Sequence, residues 1–123
     1  MSDVRKMHSI PNGRYSMEMR SGKILNIDEG FTSLLGYTDE DVKAGLVFKQ
    51  LMPDVGYNGI IADLREKFIE SRFACYQHEM VTKEGKVLEV VSFVNIQNRL
   101  LEGHRVLEVG MADITRYTKP QNN

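Results

Sequence analysis

The sequence predicts an α+β domain in which a five-stranded antiparallel sheet has one face covered by short helices. Three observations carry this. Period-two alternation occupies both ends of the chain, around Tyr15–Met19 and from Phe73 onward. Helical spacing is confined to the middle, in segments too short to be stable without a larger surface to pack on. Turn signals at Ser21-Gly22-Lys23, Lys83-Glu84-Gly85 and Leu101-Glu102-Gly103 divide the strands.

In chain order, Pro11, Asn12 and Gly13 form a turn signal that sets off a polar leader, so the expected organisation is a leader over 1–13, a domain over 14–117 and a tail over 118–123. Tyr15, Met17 and Met19 alternate with Ser16, Glu18 and Arg20 as a half-buried strand does, and Ser21-Gly22-Lys23 turns into a second, antiparallel strand over Ile24, Leu25 and Ile27. Asp28 is placed to cap a helix carrying Phe31, Leu34 and Leu35 on one face and stopped by Gly36. Thr38 caps a second, closed by Gly45, with Asp39, Glu40 and Asp41 in the first turn, where the helix dipole favours negative charge. Val47, Phe48, Leu51 and Met52 give one apolar turn that stops at Pro53. A loop is expected over Asp54–Tyr57. The longest helix then runs from a cap at Asn58 to about Ser71, with Ile60, Ile61, Leu64 and Phe68 on one side and an Asp63–Lys67 pair at i, i+4. Three strands follow as two hairpins, over about Phe73–Thr82, Lys86–Asn98 and His104–Thr115.

At 123 residues the chain fits one domain with one core. Hydrophobic residues at 41% and charged residues at 27% are an ordinary globular mixture, which argues against disorder. Sixteen basic and seventeen acidic residues are dispersed without a basic stripe, so nucleic acid is not expected as a partner. Cys75 has no partner for an internal disulfide, and no apolar run reaches membrane-spanning length or resembles a signal peptide. The cytoplasm is the expected compartment.

The catalytic inventory is thin. HExxH, GxSxG, GxxxxGK[ST] and GxGxxG are all missing, and His8, His78 and His104 have no ligand-type residue at metal spacing. No metal site and no enzyme activity are expected. Cys75 has no cationic neighbour in sequence to make it reactive, and the acids at 39–41 are explained by capping. Alternation on the Phe73 strand puts His78 on one face with Tyr76 and Met80, and Cys75 on the other with Gln77 and Glu79; which face is inward stays open. Seven methionines suit irregular space between sheet and helices, either as the lining of a pocket or as the filling of a solid core. The candidates for that lining are Phe48, Met52, Ile61, Leu64, Phe68, His78, Met80, Phe93 and Met111.

The run from Ile24 through Phe31, Leu34 and Gly36-Tyr37-Thr38 to Glu40 resembles the PAS sensory (S-box) domain, where a strand leads into a short helix ending at Gly-Tyr-Ser/Thr. Asp28 stands where that family usually has Asn, and an Asp caps equally well. The Lys83-Glu84-Gly85 turn is similar to the family's Lys-Asp-Gly hairpin, and Asp113-Ile114-Thr115 to the motif that closes many PAS domains. The resemblance spans roughly Tyr15 to Thr115 and rests on the order and spacing of these motifs together.

It implies a signal-sensing and dimerising module of a bacterial signal-transduction protein, such as a histidine kinase or diguanylate cyclase. A small molecule or partner would bias the packing of sheet and helices, and Asp113 and Thr115 would relay the change to an output domain. The other reading is a ligand-free homodimerising module with a filled core, its leader contributing a packing helix through Val4, Met7, His8 and Ile10. A small stand-alone enzyme is the weakest of the three, because the inward positions are Met, Leu, Ile, Val and Phe. The cofactor is unknown. The light-sensing LOV motif has a cysteine where Val47-Phe48-Lys49-Gln50-Leu51 has none, so a flavin photoadduct is not expected. The long helix lacks the histidine that haem members use, and no Cys-x-x-Cys-His occurs. Non-covalent flavin stays open, although the chain has no tryptophan.

Overall fold

A computed structural model describes residues 9–101 and 103–118 of the protein. The strands are β1 (Asn12–Glu18), β2 (Ile24–Ile27), β3 (Phe73–Val81), β4 (Val87–Leu101) and β5 (His104–Asp113), and they form one sheet in the order β2-β1-β5-β4-β3. All four pairings are antiparallel. The first and last strands therefore meet in the middle of the sheet: β1 pairs with β5 from Asn12↔Ala112 to Glu18↔Val106, and the hairpin strands extend the other side. Between β2 and β3 lie α1 (Glu29–Leu35), α2 (Asp39–Lys43), a 3-10 turn (Phe48–Leu51) and α3 (Asp54–Lys67); α4 (Thr115–Thr118) follows β5.

The short helices are held by their ends. Asp28 accepts from Phe31 N–H at 2.9 Å, and Gly36 closes α1 in the left-handed region at φ 85°. Thr38 and Asp41 make a reciprocal capping box on α2, and Lys83 from the β3–β4 turn reaches Asp41 at 3.0 Å. The Thr38 amide first, then Lys83, hold the Asp41 carboxyl below its ordinary range. Gly13 and Gly30 let β1 and α1 touch through backbone: a Cβ on Gly13 would run into Phe31 N, and one on Gly30 into Asn12 O.

Several boundaries differ from the sequence reading: α3 ends at Lys67 and not at about Ser71, β4 runs on to Leu101 past Asn98, and three further differences have a local cause. The expected loop over Asp54–Tyr57 is helical, because Pro53 caps α3 from extended backbone at φ −61° and the Tyr57 N–H reaches the Pro53 carbonyl. Asn58 is therefore inside the helix and not its cap. The last strand stops at Asp113, where Thr115 opens α4. The first begins at Asn12, since the Asn12 and Gly13 backbone pairs with Ala112 and Met111. The leader residues Val4, Met7 and His8, Glu102 of the second hairpin turn, and the tail from 119 lie outside the described residues.

The core lies between the helices and one face of the sheet. Tyr15, Met17, Ile24, Phe31, Leu35, Leu51, Met80, Val90, Leu107 and Met111 are all buried. Tyr15 stacks on Phe48 and is tilted against Phe31, with ring centroids 6.5 and 5.2 Å apart, and Phe48 meets Tyr57 at 6.0 Å. Among the described residues no helix is long and apolar enough to cross a membrane.

Candidate functional site

Even-numbered residues of β3 and β4 face the helices. Ala74, Tyr76, His78 and Met80 point inward from β3, and Leu88, Val90, Ser92, Val94 and Ile96 from β4. That settles the question left by the Phe73 strand: His78 belongs to the inner face and Cys75 is exposed on the outer one. Tyr76 and Ser92 are direct cross-strand partners, with His78 one step diagonal to Ser92.

These three polar residues sit against an apolar wall. His78 Nε2 lies 2.8 Å from Ser92 Oγ, and Nδ1 lies 3.0 Å from the Glu79 carbonyl oxygen. A carbonyl only accepts, so Nδ1 carries the proton and Nε2 accepts from the Ser92 hydroxyl in the neutral ring. Burial lowers the His78 pKa, opposed by the Glu79 carbonyl and the Glu89 carboxylate. The Tyr76 hydroxyl is buried without a hydrogen-bond partner. Its pKa is raised, first by burial and then by the nearby Asp63 carboxylate, which lies outside hydrogen-bonding geometry. A cavity of about 10 Å³ lies among Tyr76, His78 and Ser92 with Tyr15, Met17, Phe48 and Leu64, room for a water and nothing larger.

The outer face of the sheet is different. Phe93 is 63% exposed at its centre, directly between Cys75 of β3 and Gly110 of β5. Gly110 leaves open space where a side chain would stand, so a ridge lies beside a hollow. Phe73, also exposed at 65%, and the partly exposed Val91 and Ala112 extend this apolar strip, while Gln77, Glu79, Glu89, Asn95 and Glu108 border it.

A third cluster closes the chain. The Thr115 hydroxyl donates to Asp113 Oδ1 at 2.6 Å and accepts from Glu89 N–H at 2.9 Å, while the Ile114 N–H reaches the Glu89 carbonyl at 2.9 Å. The start of α4 is thereby fastened to β4.

Comparison with solved structures finds this arrangement repeatedly. The PAS domain of a protein from Colwellia psychrerythraea superposes with a TM-score of 0.71 at 17% identity, covering 92% of this chain and 94% of that one. The chain has the PAS fold. A domain of a sensory box sensor histidine kinase/response regulator from Geobacter sulfurreducens matches at TM-score 0.59 and 21% identity, over 80% and 81% of the two chains. The PAS-B domain of Drosophila melanogaster Cycle, a structure with bound glycerol, matches at 0.69 and 11%, over 82% and 98%. No family model and no curated protein matches the sequence.

Within this PAS fold, Phe48, Leu64 and His78 line the central cavity. Met52, Met80 and Met111 are buried in the core, and Ile61 and Phe68 pack partly buried against it, but none of the five reaches the cavity wall. Phe93 is a correction: it was expected to line the pocket, and strand alternation carries it to the outer face because its neighbours Ser92 and Val94 point in. Ser92 was not singled out from sequence. Alternation alone does not single it out, because β4 carries apolar residues on both faces, Val91 and Phe93 on one and Val90, Val94 and Ile96 on the other. Asp113 and Thr115 come together through the Thr115 hydroxyl bond to Asp113 Oδ1. Among the described residues no group of three or more His, Cys, Asp or Glu is placed to hold a metal ion.

Proposed function

We propose that this chain is a non-catalytic, PAS-type sensing and dimerisation module of a bacterial signal-transduction protein, of the histidine kinase or diguanylate cyclase kind, working in the cytoplasm. Residues 14–117 form the module. Its outer sheet face docks on a second copy, and Asp113 with Thr115 relays changes in the sheet to an output domain joined to it or associated with it. The observation that carries this reading is the Phe93 ridge beside the Gly110 hollow. Such a surface is self-complementary, since a two-fold axis can seat the Phe93 of each copy over the Gly110 of the other. The bordering polar residues supply the rim that protein interfaces have. Sedimentation velocity tests it: the protein should sediment as a dimer and Phe93→Lys as a folded monomer, and a monomeric parent protein would end the reading.

Two readings of the inner face follow from different observations. The aromatic packing of Tyr15, Phe31 and Phe48 and the water-sized cavity support a filled core that serves dimerisation alone. The partnerless Tyr76 hydroxyl beside the His78–Ser92 pair supports sensing of a small molecule, because a buried polar group without a partner costs about 1–3 kcal/mol that a guest would recover. We favour sensing for that reason.

A further inference from the structure

We infer that the inner polar cluster takes a neutral molecule with an apolar body of about one ring and a single hydroxyl head, admitted when α3 shifts away from the sheet; this rests on the sensing reading above. The head is set by hydrogen-bond bookkeeping. Ser92 spends its proton on His78 Nε2, so its oxygen still accepts, while the Tyr76 O–H has no acceptor within hydrogen-bonding geometry, the Asp63 carboxylate standing near it on α3. A hydroxyl satisfies both, donating to Ser92 and accepting from Tyr76.

An anion is excluded by the surroundings, and a cation buried here would have no counter-charge on the cavity wall. His78 is neutral when it accepts from Ser92, and no lysine, arginine or carboxylate lines the cavity. Asp63 stands near Tyr76 on α3, half exposed and 3.8 Å from Lys67, and would repel an anion. The body is set by the walls, where the Tyr15 and Phe48 rings, Met17 and Leu64 are apolar.

The cavity as it stands admits only water, so one wall must move. α3 supplies Ile60 and Leu64 to that wall and is loosely built. Glycines stand at 56 and 59 in its interior, and Pro53 caps it without a side-chain hydrogen bond. At Gly59 nothing lies within 4 Å of where a Cβ would be, and the backbone is not left-handed. Neither space nor conformation calls for glycine there, and its effect is to loosen the helix.

Titration of the full chain with phenol, toluene and sodium benzoate, followed by two-dimensional amide and histidine-ring NMR, tests this. Phenol should bind about tenfold more tightly than toluene, the value of one recovered hydrogen bond, and benzoate should leave the His78 signals unmoved. Tyr76→Phe removes a partnerless hydroxyl, so it should stay folded, keep toluene affinity and bring phenol down to the toluene level. Gly59→Ala should raise Tm and weaken phenol about fivefold by stiffening α3. Toluene binding as tightly as phenol, or phenol unchanged by Tyr76→Phe, would overturn the inference and leave sensing of some other guest in place. Silence from all three probes in both the parent protein and Leu64→Ala, whose enlarged cavity needs no helix movement, would overturn the inference and the sensing reading together.

Discussion

Asp28 ties α1 to Arg14 of β1 with one oxygen: Oδ1 accepts the Phe31 N–H and the Arg14 N–H, each at 2.9 Å, and the Asp28 N–H returns a bond to the Arg14 carbonyl at 3.1 Å. A helix of under two turns has no stability of its own, so this single side chain fixes both where α1 starts and where it sits on the sheet.

Asp28→Ala should accordingly cost more than an ordinary cap, about 2 kcal/mol, at the upper end of measured cap losses. Asp28→Asn keeps an acceptor oxygen in the same place and should cost well under half of that. Urea unfolding of the two variants checks the difference, and equal losses would show that charge, not hydrogen bonding, holds α1.

The backbone approach of α1 to β1 leads to a second expectation. Gly13→Ala and Gly30→Ala each put a methyl into backbone that belongs to the other element, where no flexible side chain can yield. Each should destabilise by about 2–3 kcal/mol, as overpacking does, whereas Gly110→Ala, with open space above it, should leave Tm nearly unchanged and weaken the dimer. Thermal unfolding and sedimentation of the three variants separate the effects.

Lowered basicity at His78 makes stability depend on pH in a defined direction. The unfolded chain takes up a proton near the ordinary histidine pKa of about 6.5, while the folded chain resists it to lower pH. Below 6.5 the unfolded state therefore binds more protons, and stability falls until the folded pKa is passed; above about pH 7 it is flat with respect to this group. Asp41, whose carboxyl is lowered below 3.8, acts only in a more acidic window. Tm measured from pH 8 to 5 should decline below 6.5, and His78→Gln should remove most of that decline. An unchanged decline in His78→Gln would assign it to another group.

Thr115 clasps β4 through Glu89, so Thr115→Ala should release the start of α4 without unfolding the sheet. Hydrogen exchange at Glu89 and Ile114 should quicken by about tenfold, matching the loss of about 1 kcal/mol or slightly more, while amides of β5 keep their protection. In a longer protein carrying an output domain, Asp113→Ala should uncouple output with the fold intact, and an unaltered response would remove these residues from the relay.

Much of this fold can be read from residue order. Asp28, Gly36, Thr38 and Gly85 announce their caps and turns because each one's chemistry acts on its own neighbours, and the strands from Phe73 onward show their period directly. The errors lie where a distant element decides. Pro53 and Gly56 read as a loop, yet Pro53 fits the start of α3 at no cost because the first helical donors are unpaired anyway. β4 has apolar residues on both faces, so alternation alone could not say that Ser92 is buried and Phe93 exposed. Gly13 looked like part of a turn; its role as a point of contact with α1 depends on the pairing of β1 with β5. The inner site was half legible for the same reason. Its large apolar residues stood out, while the polar members Tyr76 and Ser92 acquire meaning only when β3 and β4 bring them side by side.

Native mass spectrometry of the full chain taken directly from expressing cells bears most directly on the central claim, that the outer sheet face joins two copies. The account predicts the mass of a dimer in the parent protein and of a monomer in Phe93→Lys; a parent protein found only as a monomer, or a Phe93→Lys variant still dimeric, would contradict it.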